Sequence, residues 1–138
     1  MPSTLAYQDA IDLLDADHKL AQKQFIDYQA LSEDGAPPEA RQQLALKICQ
    51  DLSVHTQIEE EIFYPRVQEV IDDDALMDEA LSEHAEAKEA IARIRGMEPT
   101  DAAYDSTVIE LGQAIMDHVM DEREKMFLQA RYAAVDLR

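Results

Sequence analysis

Cysteine occurs once, at Cys49, so no disulfide can form within the chain. Cys49 lies among Leu46, Ile48 and Leu52, the setting of a small core or boundary residue rather than a nucleophile. Glycine is scarce, with 3 residues, and proline sparse, with 5. That leaves few sites for tight turns, and the abundant Ala, Leu, Glu and Gln favour a fold made of helices alone. No apolar run approaches the ~20 residues that span a bilayer. Residues Met1 to Leu5 carry neither the charged stretch nor the apolar run of a secretory signal, so a cytoplasmic protein is expected. Positive charge is also short: 12 basic residues face 30 acidic ones, for a formal net charge of −18. Such a surface repels phosphate backbones and anionic lipid heads, so neither nucleic acid nor membrane is expected as a partner. It attracts cations.

A chain of 138 residues, 46% hydrophobic, is long enough to bury a core, and a single domain spanning 1–138 is expected. Three breaks divide it: Ser32 to Pro38, Asp72 to Asp74, and Gly96 to Thr100. Each supplies residues that stop or start helices, namely Gly, Pro, and Asp or Thr as an N-cap. Helices are predicted from about Leu5 to Leu31, Pro38 to Val70, Ala75 to Arg95 and Asp101 to Tyr132, with 133–138 a fraying tail. Pro65 should loosen the last turn of the second. Breaks this short join antiparallel neighbours. The expected fold is therefore all-α, an up-down-up-down antiparallel four-helix bundle.

The helices carry apolar seams stepping by four and three residues. They read Tyr7, Ile11, Leu14, His18, Ala21, Phe25, Tyr28; then Leu44, Ile48, Leu52, His55, Glu59, Ile62; then Met77, Ala80, His84, Ala87, Ile91, Ile94; and Tyr104, Val108, Leu111, Ile115, His118, Glu122. All 4 histidines fall on a seam, one per helix. Two are followed four residues later by glutamate, at His55/Glu59 and His118/Glu122, which sets both side chains on one helix face. A carboxylate in a dry core is costly unless it is paired or binds a metal. Imidazole with carboxylate suits iron, and also manganese and zinc. The distances from each histidine to its neighbouring break agree to about one helical turn, so the four can share a layer. The order repeats, a lone His and then His-x-x-x-Glu, which suggests one metal per half with each Glu free to bridge. The candidate ligands are His18, His55, Glu59, His84, His118 and Glu122. Asp121 can also reach inward, but Glu122 keeps the seam step. Glu60, Glu61 and Glu86 read as solvated surface charges. Tyr7, Tyr28 and Tyr104 read as core residues, and are candidates for contact with the ligands.

These segments resemble the hemerythrin-like family, the HHE cation-binding domain. The resemblance rests on Leu14 to His18, on His55-Thr-Gln-Ile-Glu59-Glu-Glu-Ile-Phe-Tyr64-Pro65, on Ser82 to Lys88, and on Asp117 to Phe127, and it covers nearly the whole chain. It implies a four-helix bundle around two non-haem irons with an oxo or hydroxo bridge. His18, His55, His84 and His118 match the histidine ligands, Glu59 a bridging carboxylate and Glu122 the carboxylate of the last helix. Activities implied are binding of dioxygen, sensing, iron handling, or reaction with peroxide or nitric oxide, with turnover left open. The chain departs from the oxygen-carrier pattern twice. Lys88 stands where a carrier has a second histidine of the third helix, and the last carboxylate is Glu at four residues rather than Asp at five. The missing histidine implies an open position on one metal, which favours direct chemistry with peroxide, or redox sensing, over reversible carriage. Lys88 either points outward or sets a cation beside bound oxygen species. A sensor module read by a separate partner, an iron store and a metal-free bundle are the rival readings.

Overall fold

A computed structural model describes residues 3–70 and 73–127, with side chains from Leu14 onward except those of 70, 123, 126 and 127. Tyr7, the expected end of the last helix at Tyr132 and the 133–138 tail lie outside these descriptions. Every regular element among the described residues is helical. Helix α1 is Ser3–Glu33, α2 Pro38–Ile58, α3 Tyr64–Val70, α4 Asp74–Gly96 and α5 Tyr104–Asp121. A π-helical segment, Glu59–Phe63, joins α2 to α3, and a second, Glu122–Phe127, continues α5. The predicted second helix is thus one continuous run whose hydrogen-bond pattern changes ahead of Pro65.

The breaks work as their residues dictate. Gly35 takes a positive φ of 68°, a conformation only glycine adopts freely. Pro38 opens α2, where its missing N–H costs nothing. The Asp73 carboxylate accepts the Leu76 N–H at 3.0 Å and caps α4. The last helix starts at Tyr104 rather than Asp101, because Asp101 accepts the Ala103 N–H at 2.9 Å and holds a turn instead.

α1 packs on α2 and α5, and α4 packs on α5 and α2. The apolar core lies where residues 21–28 of α1, 45–52 of α2, 87–94 of α4 and 104–115 of α5 face each other. Cys49 is buried there, and loss of water pushes its thiol up to about 11. Gly112 of α5 lets α1 close in: a Cβ there would sit 2.6 Å from the Phe25 ring. Leu14, Phe63, Tyr64, Val67 and Met77 are buried in the opposite half. The seams of α4 and α5 are buried throughout; from Leu14 onward α1 and α2 follow their seams, Phe25 and Leu44 being partly buried, with one exception in α2 and its continuation. Ile62 is 59% exposed, because the wide turn of the π segment carries it off the seam and leaves Phe63 inside. Among the described residues, no helix is long and apolar enough to cross a membrane.

Candidate metal centre

Between the two apolar halves lies one polar layer. His18 of α1, His55 of α2, His84 of α4, His118 of α5, and Glu59 and Glu122 at the heads of the two π segments are all buried. The side chains form two overlapping groups. His18, His55, Glu59 and Glu122 offer ligand atoms all within 4.8 Å of one another, as do Glu59, His84, His118 and Glu122. All six sequence-predicted residues are therefore brought together, with both glutamates common to the two groups.

The separations follow a pattern. His18 Nε2 lies 3.0 Å from His55 Nε2, and His84 Nε2 lies 3.2 Å from His118 Nε2. Glu59 Oε1 is 3.2 Å from His55 Nε2 and 3.1 Å from His84 Nε2. Glu122 faces both halves with different oxygens, Oε1 3.2 Å from His18 Nε2 and Oε2 3.0 Å from His118 Nε2. Despite this proximity, both Glu59 oxygens and Glu122 Oε1 lack a hydrogen-bond donor in bonding geometry. Carboxylate oxygens that stand this close to ring nitrogens without a bonded donor converge with them on a shared point.

That donor set fits a cation. Metal–ligand bonds of about 2.0–2.2 Å put ligand atoms about 2.8–3.1 Å apart at right angles and about 3.3–3.6 Å apart at tetrahedral angles. The observed spacings, 3.0 to 3.2 Å, run from the first range toward the second, so they fit a shared cation without choosing among iron, manganese and zinc. Without a cation, the layer must hold protons instead. Burial pulls the His118 imidazole down, but the Glu122 and Glu83 carboxylates outweigh it and lift it to about 9. Burial pulls Glu122 up, yet the His118 and His18 rings alongside it hold it well below the usual carboxylate range.

Tyr64 was not foreseen in this layer. Its hydroxyl donates to Glu122 Oε2 and stands 3.2 Å from His84 Nε2 and 3.4 Å from His118 Nε2. Its ring stacks on His84 at 5.3 Å between centroids. Burial, with Glu122 and Glu59 alongside, pushes the phenol far up from its ordinary value. In a regular helix, a residue five after Glu59 would point about 140° away from it. The π segment turns Tyr64 back, and its backbone N–H bonds the Glu59 carbonyl.

Carboxylates hold the far nitrogens of three rings. Glu83 Oε1 lies 2.8 Å from His118 Nδ1, Glu60 Oε2 lies 2.9 Å from His84 Nδ1, and Asp17 Oδ2 lies 3.3 Å from His55 Nδ1. Such partners fix the ring so that Nε2 faces inward. Glu60 is thus not a free surface charge, as it had been read, although Glu61 and Glu86 are exposed. The signal was present in part: Asp17 and Glu83 each immediately precede a ligand histidine. Lys88 points outward, 54% exposed, and its Nζ donates to Glu60 at 2.9 Å, so it touches the layer only through Glu60 and His84. Tyr28 and Tyr104 belong elsewhere. Tyr28 donates to Asp105 Oδ1 at 2.7 Å, ten residues and about 15 Å along α1 from His18, and Tyr104 is buried in the apolar core.

A helical chain whose core turns histidines and carboxylates inward around a common point is a cation-binding bundle by its chemistry. Residues 9–130 match the hemerythrin HHE cation binding domain, and the chain belongs to that family. A DNA nickase of Nostoc sp. (strain PCC 7120 / SAG 25.82 / UTEX 2576) is 28% identical over 120 residues, covering 87% of this chain and 33% of the relative. The chain spans about a third of the length of that curated relative. No solved structure matches it.

Proposed function

We propose that this chain is a cytoplasmic non-haem diiron protein that binds or reacts with dioxygen, peroxide or nitric oxide. The observation that carries the reading is Glu59, wholly buried, with neither oxygen bonded to a donor and two histidine nitrogens at 3.1 and 3.2 Å. His18 and His55 would hold one iron and His84 and His118 the other, with Glu59 and Glu122 common to the two groups. Iron supplies the electrons and the affinity for small oxygen and nitrogen species. Tyr64 brings a phenol oxygen to the His84–His118 side, where its hydroxyl donates to Glu122. Glu60, Glu83 and Asp17 orient the rings. The single domain is an up-down-up-down antiparallel bundle. In support, contacts run in opposite senses along neighbouring helices: Asp17 meets His55 where Gln24 meets Asp51, and His18 meets Glu122 where Tyr28 meets Asp105.

The nickase activity is named for a protein of which the match covers only 33%, and the net charge of −18 opposes a phosphate backbone, so DNA is kept out of the proposal. The test is elemental analysis with an absorption spectrum of the same aerobic sample. About two irons per chain are expected, falling sharply in His55→Ala and Glu59→Ala. Tyr64→Phe is expected to keep the irons, because the phenol donates to Glu122 and is not one of the six side chains that would hold metal. Full metal in both ligand variants would remove the basis of the reading.

A further inference from the structure

A cavity of about 360 Å³ runs from this layer to the surface between α1 and α2. Its floor is the cluster itself, including His55, Glu59 and His84. Its walls are apolar: Ala21 of α1, Leu52 of α2, and Ile115 and Val119 of α5. Leu20 and Val54, 48% and 51% exposed, stand at the mouth. Dioxygen or peroxide needs the room of one or two waters, about 30–60 Å³ at liquid volume. The cavity is several times that, within the range of small-molecule sites.

Polar groups on the way in are already engaged. Gln24, buried, donates to Asp51 at 2.9 Å, and the Thr56 hydroxyl donates to the Ser53 carbonyl at 3.1 Å. The charges at the mouth are the carboxylates of Asp17 and Asp51 with one lysine, Lys47, whose Nζ is held by Asp51 at 3.3 Å. With a whole-chain charge of −18, this mouth repels an anionic headgroup and offers it no free cation.

We infer that the cavity takes a neutral organic molecule of roughly ten non-hydrogen atoms, with an apolar body between α1 and α2 and one oxygen-bearing end at the histidine–glutamate layer, as an alkyl or aryl hydroperoxide or its alcohol would present. This rests on the diiron reading for the role of the inner end alone; the walls and the mouth stand without it. It narrows the substrate class from peroxide in general to the organic kind.

The probe is 2-phenyl-2-propanol, titrated into the full chain by calorimetry and ligand-observed NMR, with metal content measured on the same sample. Saturable binding is expected, weakened at least tenfold by Val54→Trp, which plugs the mouth from an exposed position. Ile26→Trp, on the exposed groove between α1 and α5, should leave it unchanged. Phenylacetate, of equal bulk but anionic, should bind more weakly than the alcohol. Absence of saturable binding, binding indifferent to Val54→Trp, or tighter binding of phenylacetate overturns the inference. Metal content decides the diiron reading separately, so either can fail alone.

Discussion

Two carboxylates show how the same side chain answers to its surroundings. Glu59 is buried without a bonded donor, and its Oε1 faces two ring nitrogens. Asp105 sits at the other end of α5 and has every partner it needs: Tyr28 Oη at 2.7 Å, Ser32 Oγ at 2.8 Å and Arg41 Nη1 at 2.7 Å. Burial alone would raise the Asp105 carboxyl, but these bonds and the Arg41 charge lower it. A carboxyl lowered on folding stabilises the protein above its unfolded value near 3.9, and that contribution is lost as pH falls through the folded value. Asp105→Asn keeps the shape and removes the charge. It should cost about 1–2 kcal/mol at pH 7, and the loss should shrink as pH falls below about 4, where the unfolded chain takes a proton first and the native carboxylate only at its lower folded value. Urea denaturation of both proteins at the two pH values checks this; an equal cost at both would mean the charge does not matter. The six residues of the buried polar layer were legible because the seam period selects them one helix at a time. Glu60, Glu83 and Asp17 were not, because each leaves its own seam to meet a histidine of another helix, and that meeting depends on how helices dock.

Helices were read closely where a stop residue marks them and poorly where hydrogen bonding changes without an end. Gly35, Pro38 and Asp73 were visible as letters. The two π segments were not, since no residue type encodes an i→i+5 bond. Pro65 hinted at the first, as its ring and missing N–H disturb the turn before it, and nothing comparable follows Glu122. Both segments begin at a glutamate of the polar layer, so the widened backbone lies where the ligands converge, as such bulges often do at functional sites. The approach of α1 to α5 is a second property of elements. Gly112→Ala would place its Cβ 2.6 and 2.8 Å from Phe25 ring atoms near the base of the side chain, so the ring cannot simply swing its tip away. Overpacking costs about 1–3 kcal/mol, against the ~1 kcal/mol by which alanine outdoes glycine in a helix. The clash should win, and Gly112→Ala should lower the melting temperature. In a Phe25→Ala background the same change should become neutral or stabilising. If it destabilises both backgrounds equally, the close approach to Phe25 is not what the glycine serves.

At the scale of the molecule, a chain of 30 acidic and 12 basic residues buries a layer whose side chains could hold cations. Self-repulsion in so anionic a chain should be relieved by any salt, whereas the core layer should respond only to metals that fit it. The two effects separate by dose. Monovalent salt acts by screening, and needs about 0.1 M to shorten the Debye length to ~10 Å. A metal that binds the folded chain alone adds about 2.7 kcal/mol at a hundred times its Kd. For a domain of this size that corresponds to a melting-temperature rise of about 8–10 °C. Ferrous or manganous ion at micromolar concentration, added without oxygen to chelator-treated protein, should produce this rise in 0.5 M sodium chloride as well as in dilute buffer. Glu59→Gln should keep the salt response and lose most of the metal response, because it removes the carboxylate that both halves of the layer share. A metal response that vanishes in high salt, or that survives Glu59→Gln undiminished, would place the cations on the acidic surface and leave the buried layer to its protons.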